Sequence, residues 1–184
     1  MGQGRTPRLN GAGAVAALDT PTNKGWIADA GSSDQVAVAS GHGVGKSALC
    51  SWITLWAMST SPDTRGIVTA SSEAMLYTRF RAELRTWFRR FKAANYFEMG
   101  ATSLTSADPT HTQTWRIDMV PWSATRSETL AGLHNKGRRI LVIFDEASAI
   151  DSNVWETVEA ISTDADAEVV WLVCGNPLHV SGRS

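Results

Sequence analysis

Val36-Ala37-Val38-Ala39-Ser40-Gly41-His42-Gly43-Val44-Gly45-Lys46-Ser47 is the stretch that decides how the rest of the chain is read. Its first four residues are a short apolar run without alternation, the pattern of a strand buried on both faces. The next eight fit a phosphate-binding loop, Gly-x4-Gly-Lys-Ser/Thr, at Gly45, Lys46 and Ser47, with Ser40 in place of the first glycine. Gly41 and Gly43 add the freedom that lets backbone N–H groups wrap phosphates. The Lys46 ammonium can reach β- and γ-phosphates, and the Ser47 hydroxyl can ligate Mg²⁺. A helix follows to about Ser59, and its N-terminus would present the positive dipole end to the anion. Leu49, Trp52, Ile53, Leu55 and Trp56 make that helix apolar on nearly every face, so it is expected to be covered on several sides. The nucleotide-contacting set is therefore Ser40, Gly41, His42, Gly43, Val44, Gly45, Lys46, Ser47 and Ala48. His42 lies in the loop, but the template gives it no chemical role. An ordinary Gly-rich turn would not account for the strand before and the helix after.

Working outward, further apolar runs read as strands at 66–70, 140–144 and 169–173, and 114–121 alternates Trp115, Ile117 and Met119 on one side. Residues 73–92 form an amphipathic helix with Leu76, Phe80, Leu84, Trp87, Phe88 and Phe91 on one face. A third helix is expected over about 152–161, capped by Asp151 or Ser152. Strands alternating with helices, and apolar without alternation, give an α/β fold with a mostly parallel sheet and helices on both faces. Residues 1–34 are simpler in composition, with loop-like Gly31-Ser32-Ser33-Asp34, and are expected to be a poorly structured N-terminal segment. Residues 35–184 form the domain.

The run Ile140-Leu141-Val142-Ile143-Phe144-Asp145-Glu146 is a buried strand ending in two acids, a Walker B pattern. Asp145 would hold the Mg²⁺ shell, and Glu146 would polarise the attacking water. Cys174-Gly175-Asn176-Pro177 ends the last strand. Asn176 there reads either as a polar sensor of the γ-phosphate or as part of a plain turn. Arg81, Arg85, Arg89 and Lys92 form a basic stripe at helical spacing. It could touch a nucleic-acid backbone, but a solvated helix face is the simpler reading. His42, His111, His134 and His179 lack metal-ligand spacing.

Composition limits the alternatives. The 184 residues are 43% hydrophobic and 19% charged, enough apolar material for a core and too much for general disorder. Lys and Arg number 17 against 18 Asp and Glu, which excludes a globally basic nucleic-acid binder but not a local patch. Cys50 and Cys174 cannot make a disulfide framework and suit a reducing compartment as small core residues. No apolar run approaches the roughly 18 residues needed to cross a bilayer. Residues 1–18 have no continuous apolar stretch of the kind a secretory signal needs. A cytoplasmic protein without membrane contact is the expectation. The eight Trp should mostly pack or sit at an interface.

Residues 36–184 resemble the ATPase domain of the large terminase subunit of tailed bacteriophages. The likeness rests on the loop at Ala39–Leu49, on Val68-Thr69-Ala70-Ser71-Ser72-Glu73, on Ala131-Gly132-Leu133-His134-Asn135-Lys136-Gly137-Arg138-Arg139, on Phe144-Asp145-Glu146-Ala147-Ser148-Ala149-Ile150 and on Cys174-Gly175-Asn176-Pro177. The resemblance implies a P-loop NTPase of the RecA-like, ASCE type that binds ATP and Mg²⁺ and drives double-stranded DNA into a procapsid. It implies Lys46 and Ser47 at phosphate and metal, Asp145 as metal-shell acid, Glu146 as catalytic acid and Asn176 in the motif that couples hydrolysis to movement. A portal protein, a small terminase subunit and a homo-oligomeric ring are the implied partners, in the host cytoplasm. The family's adenine-contacting segment has no clear match in residues 1–34, where Trp26 is the nearest stand-in. The family's nuclease domain would lie beyond Ser184, so the fold is expected to be C-terminally incomplete here and DNA cleavage is not expected of this chain. The transition-state arginine has four candidates, Arg79, Arg126, Arg138 and Arg139, besides one from a neighbouring subunit. A helicase-like nucleic-acid-dependent ATPase, a small-molecule P-loop kinase and a nucleotide-binding fragment without turnover are the competing readings.

Overall fold

Four of the apolar runs become neighbouring strands because each can bury both faces only inside a sheet. The computed structural model describes residues 33–39, 45–121, 133, 135–145 and 167–175. In chain order the strands are β1 (Ser33–Ala39), β2 (Arg65–Ala70), β3 (Phe97–Met99), β4 (Ser103–Ser106), β5 (Arg116–Met119), β6 (Arg139–Asp145) and β7 (Glu168–Gly175). They form one seven-stranded sheet in the order β1-β7-β6-β2-β5-β4-β3. The pairs from β1 through β5 are parallel, and β4 and β3 add antiparallel strands at one edge. The fold is thus α/β with a mostly parallel sheet. The strand before the phosphate-loop sequence is separated from the strand ending in Asp145 by β7 alone.

Alternation within β6 divides the core. Leu141 and Ile143 face the side where α1 (Lys46–Thr60) and α2 (Arg81–Phe88) pack, together with Val68, Ile117, Met119, Leu76, Phe80 and Leu84. Ile140, Val142 and Phe144 face the other side, with Ile67, Val169 and Trp171. All seven residues of β6 are buried, so the strand carrying the acid is the least hydrated element described. Among the described residues the helices lie on the first face only. The helix expected over 152–161 lies outside them.

The structure departs from the sequence expectations in four places. β1 begins at Ser33, inside the stretch expected to be loop, because Ser33 and Asp34 extend the ladder opposite Val169 and Val170. The hairpin of β3 and β4 was not anticipated. Its strands have three and four residues, too short to show a period. The amphipathic helix is interrupted: Met75–Phe80 is π-helical, and regular α-helix resumes at Arg81. Finally, α2 ends at Phe88, short of the helix expected to residue 92. α1 is covered on several sides, by β6, α2 and the π-helical turn. Its buried face is Cys50, Ser51, Thr54, Leu55, Ala57 and Met58, whereas Trp52 and Trp56 stay 48% and 42% exposed. Ser51 and Thr54 tolerate burial because their hydroxyls donate to the carbonyls of Ser47 and Cys50, both at 2.8 Å.

Candidate nucleotide-binding site

Parallel strands end at one edge of the sheet, and that edge collects the residues of interest. Register places Ala70 of β2 and Cys174 of β7 on either side of Asp145. Gly45 precedes α1 with φ of +91°, a left-handed conformation that favours glycine, and its carbonyl accepts the Leu49 N–H at 3.0 Å. This turn aims the first residues of α1 back over the end of β6. The Ser47 hydroxyl donates to Asp145 Oδ2 at 3.1 Å, although 98 positions separate the two residues. Asp145 is 4% exposed and Lys46 8%, so a carboxylate and an ammonium are both held largely away from water at this edge.

Beside them lies a cavity of about 460 Å³. Gly45, Lys46, Ser47, Ala48 and Asp145 form one wall, and Thr78, Arg79, Ala82, Glu83 and Thr86 form the other. The second wall comes from the π-helical turn and α2. The sequence singled out Arg79 alone among its five residues. The others leave a faint signal, a small and polar stripe at steps of three and four beside the apolar face. Glu83 is oriented by Trp87, whose Nε1 donates to Glu83 Oε1 at 2.8 Å.

Of the sequence-derived site residues, Gly45, Lys46, Ser47, Ala48 and Asp145 come together here. Ser40, Gly41, His42, Gly43, Val44, Glu146 and Asn176 lie outside the described residues, as does Arg126. Arg138 and Arg139 are at the wrong end of β6 to serve this cavity, about 20 Å from Asp145 for a strand of this length. Arg138 sits 3.8 Å from Asp63 Oδ2. The Arg139 guanidinium donates to Thr60 Oγ1 at 2.5 Å and Glu168 Oε1 at 2.9 Å, and stacks 4.4 Å over Trp56. In the basic stripe, Arg81 donates to the Gly100 carbonyl at 3.3 and 3.2 Å, tying α2 to the β3–β4 turn. Arg85, Arg89 and Lys92 are exposed.

Cys50 and Cys174 are fully buried free thiols, with sulfurs 3.4 Å apart. The hydrogen bond to Cys174, followed by burial, pushes the Cys50 thiol well above its ordinary range. It stays a neutral core group. No group of three or more His, Cys, Asp or Glu that could hold a metal occurs among the described residues. No described helix is long and apolar enough to cross a membrane.

This edge, with a glycine-hinged loop end, a buried lysine and a hydroxyl on a strand-end aspartate, defines the class: the chain has a P-loop-type α/β fold. Comparison with solved structures narrows it to the fold of phage large-terminase ATPase domains. The large terminase of bacteriophage HK97 superposes with a TM-score of 0.54 at 14% identity, over 78% of this chain and 29% of that one. The large-terminase ATPase domain of Thermus phage P74-26 gives 0.50 at 21% identity, over 79% and 61%. The large terminase of a thermophilic bacteriophage, solved in complex with ADP, gives 0.52 at 13% identity, over 76% and 33%. The chain spans about a third of the length of the two whole large terminases. No family model matches the sequence, and no curated protein does.

Proposed function

We propose that the chain is the ATP-hydrolysing motor domain of a phage large terminase and couples hydrolysis to translocation of double-stranded DNA. The Ser47–Asp145 contact carries this reading, because it joins the phosphate-loop sequence to the acidic strand end in a large-terminase fold. The ADP held by one structural relative adds support for a nucleotide ligand.

The roles follow from residue chemistry. The backbone of residues 40–45 would wrap the phosphates, and Lys46 would balance charge on the β- and γ-groups. The Ser47 hydroxyl and Asp145 carboxylate are hard oxygen donors side by side, a fit for Mg²⁺, which takes few protein ligands and otherwise keeps water and phosphate oxygens. Bound there, Mg²⁺ would neutralise charge developing on the transferred phosphoryl group. Glu146, next along from Asp145, would orient the water, and Asn176 would report the γ-phosphate to the moving parts. Double-stranded DNA, a portal protein, a small terminase subunit and further copies of the chain are the partners this reading entails, in the host cytoplasm.

ATP hydrolysis measured with and without double-stranded DNA tests the proposal. Turnover that rises with DNA and disappears in Lys46→Ala is the expected result. Nucleotide binding without turnover under either condition would favour a binding fragment, and no nucleotide binding at all would overturn the reading.

A further inference from the structure

We propose that Arg79 is a second phosphate-binding cation of this site, engaging the γ-phosphate from within the same chain. The inference rests on the nucleotide reading above and adds a residue to it. Three observations carry it.

The first is position. Of the three candidate arginines that are described, only Arg79 lines the cavity with Lys46, Ser47 and Asp145. Arg138 and Arg139 are engaged at the far end of β6. The second is which end of a nucleotide Arg79 would meet. Ala70, the last residue of β2, pairs with Asp145, so the segment leaving β2 starts on the Asp145 flank of the cavity. β1 lies beyond β7 on the opposite flank. If Ser47 and Asp145 held the metal of a bound triphosphate, its terminal phosphate would lie toward the wall that carries Arg79.

The third observation is the local backbone. Arg79 belongs to the π-helical turn Met75–Phe80, and π turns are rare insertions in α-helices, frequent at functional sites. The turn keeps Leu76 and Phe80 buried while Thr78 and Arg79 both reach the cavity.

Charge is compatible with the assignment. The lining residues carry Lys46 and Arg79 against Glu83 and Asp145, so Lys46 alone would leave the wall net acidic toward a polyanion. A guanidinium offers a planar fork matched to two phosphate oxygens, which an ammonium does not.

Binding of a fluorescent non-hydrolysable ATP analogue and of the matching ADP analogue to the full chain separates the possibilities. Arg79→Ala should weaken the ATP analogue about tenfold, the scale of one charge-assisted contact in a partly open site, and ADP less than about twofold. Arg79→Lys should fall between wild type and Arg79→Ala for the ATP analogue. Arg79 is exposed, and thermal melts should show both variants folded. Equal weakening of both nucleotides, or no change in either, would overturn the role for Arg79. If Lys46→Ala abolishes binding in the same assay, the nucleotide site stands even when the Arg79 assignment falls. Wild type that binds neither nucleotide, or Lys46→Ala that binds like wild type, overturns the site itself and Arg79 with it.

Discussion

Arg139→Ala should destabilise the chain without touching nucleotide affinity. Arg139 is 8% exposed, and its guanidinium spans the C-terminal end of α1, the start of β7 and the ring of Trp56. Losing the bond to Thr60 costs about 1 kcal/mol. The ion pair with Glu168 is partly open, its carboxylate side chain 46% exposed, and adds at most about 0.5 kcal/mol. The stacking on Trp56 adds about 0.5–1 kcal/mol. Two factors reduce the total. The Ala57 carbonyl, 3.4 Å from Arg139, keeps its bond from Thr64 Oγ1 at 3.0 Å. Arg139 Nε, buried without a hydrogen-bond partner, is removed along with the rest. A net loss of about 2 kcal/mol remains, or a fall in Tm of roughly 4–8 °C at this chain length. Differential scanning fluorimetry gives the first quantity and an ATP-analogue titration below Tm the second. Arg139→Lys should recover less than half of the loss, because an ammonium cannot reach Thr60, Glu168 and Trp56 together. An unchanged Tm, or an affinity loss in protein shown to be folded, would refute the assignment of Arg139 to the frame.

Gly66→Ala should lower Tm more sharply, since the new Cβ would lie 2.5 Å from the Leu141 carbonyl oxygen and 3.0 Å from Leu141 Cβ in the neighbouring central strand. A cost of about 1–3 kcal/mol is expected, read by denaturant unfolding, and a change under about 0.5 kcal/mol would contradict the β2–β6 spacing. The pair of His111 Nδ1 and Asp63 Oδ1, 2.5 Å apart, raises the His111 pKa above 6.5 and lowers that of Asp63 below 3.8, in each case chiefly through their hydrogen bond. Its stabilisation is fully present between those two values, fades as pH rises through the raised histidine pKa, and fades again as pH falls through the lowered aspartate pKa. The Tm gap between wild type and His111→Gln should therefore be wider at pH 5.5 than at pH 9, and a constant gap would count against the pair. Glu146→Gln should leave ATP affinity near normal and cut hydrolysis by about two orders of magnitude in single-turnover assays, and wild-type turnover would remove Glu146 from the water-activating role.

The strands at the centre of the sheet were legible because burial on both faces leaves no choice of residue: β2, β6 and β7 are nearly pure apolar runs. Ile117 and Met119 showed the period of a half-covered strand and are indeed buried. Lys46, Ser47 and Asp145 were legible because their chemistry needs fixed residue types at strand and helix ends. The β3–β4 hairpin left no comparable signal, since it is held by antiparallel pairing with β5 and by Arg81 on Gly100, contacts between segments and not within them. Nor could periodicity separate Arg139 from a site arginine. Charge and proximity to Asp145 in sequence look the same whichever end of the strand a residue occupies. The exposure of Trp52 is likewise tertiary: its ring meets Trp87 edge-on at 4.9 Å, using only part of its surface. The π-helical turn has no signature in spacing alone, because Leu76, Phe80 and Leu84 keep the step of four that a regular helix would show.

Two of the side-chain bonds that fasten α1, those to β6, lie at opposite ends of that strand. Ser47 is bonded to Asp145, the last residue of β6, and Thr60 to Arg139, the first. Thirteen residues of helix advance about 20 Å, and six of strand advance about the same. Helix and strand are therefore cut to a common length, like opposite sides of a frame. One residue inserted into β6 would add about 3.3 Å to one side only, and would turn every following side chain to the opposite face of the sheet. Length variation in this part of the chain should thus be confined to the connections outside the frame, while α1 and β6 can change in composition but not in residue count.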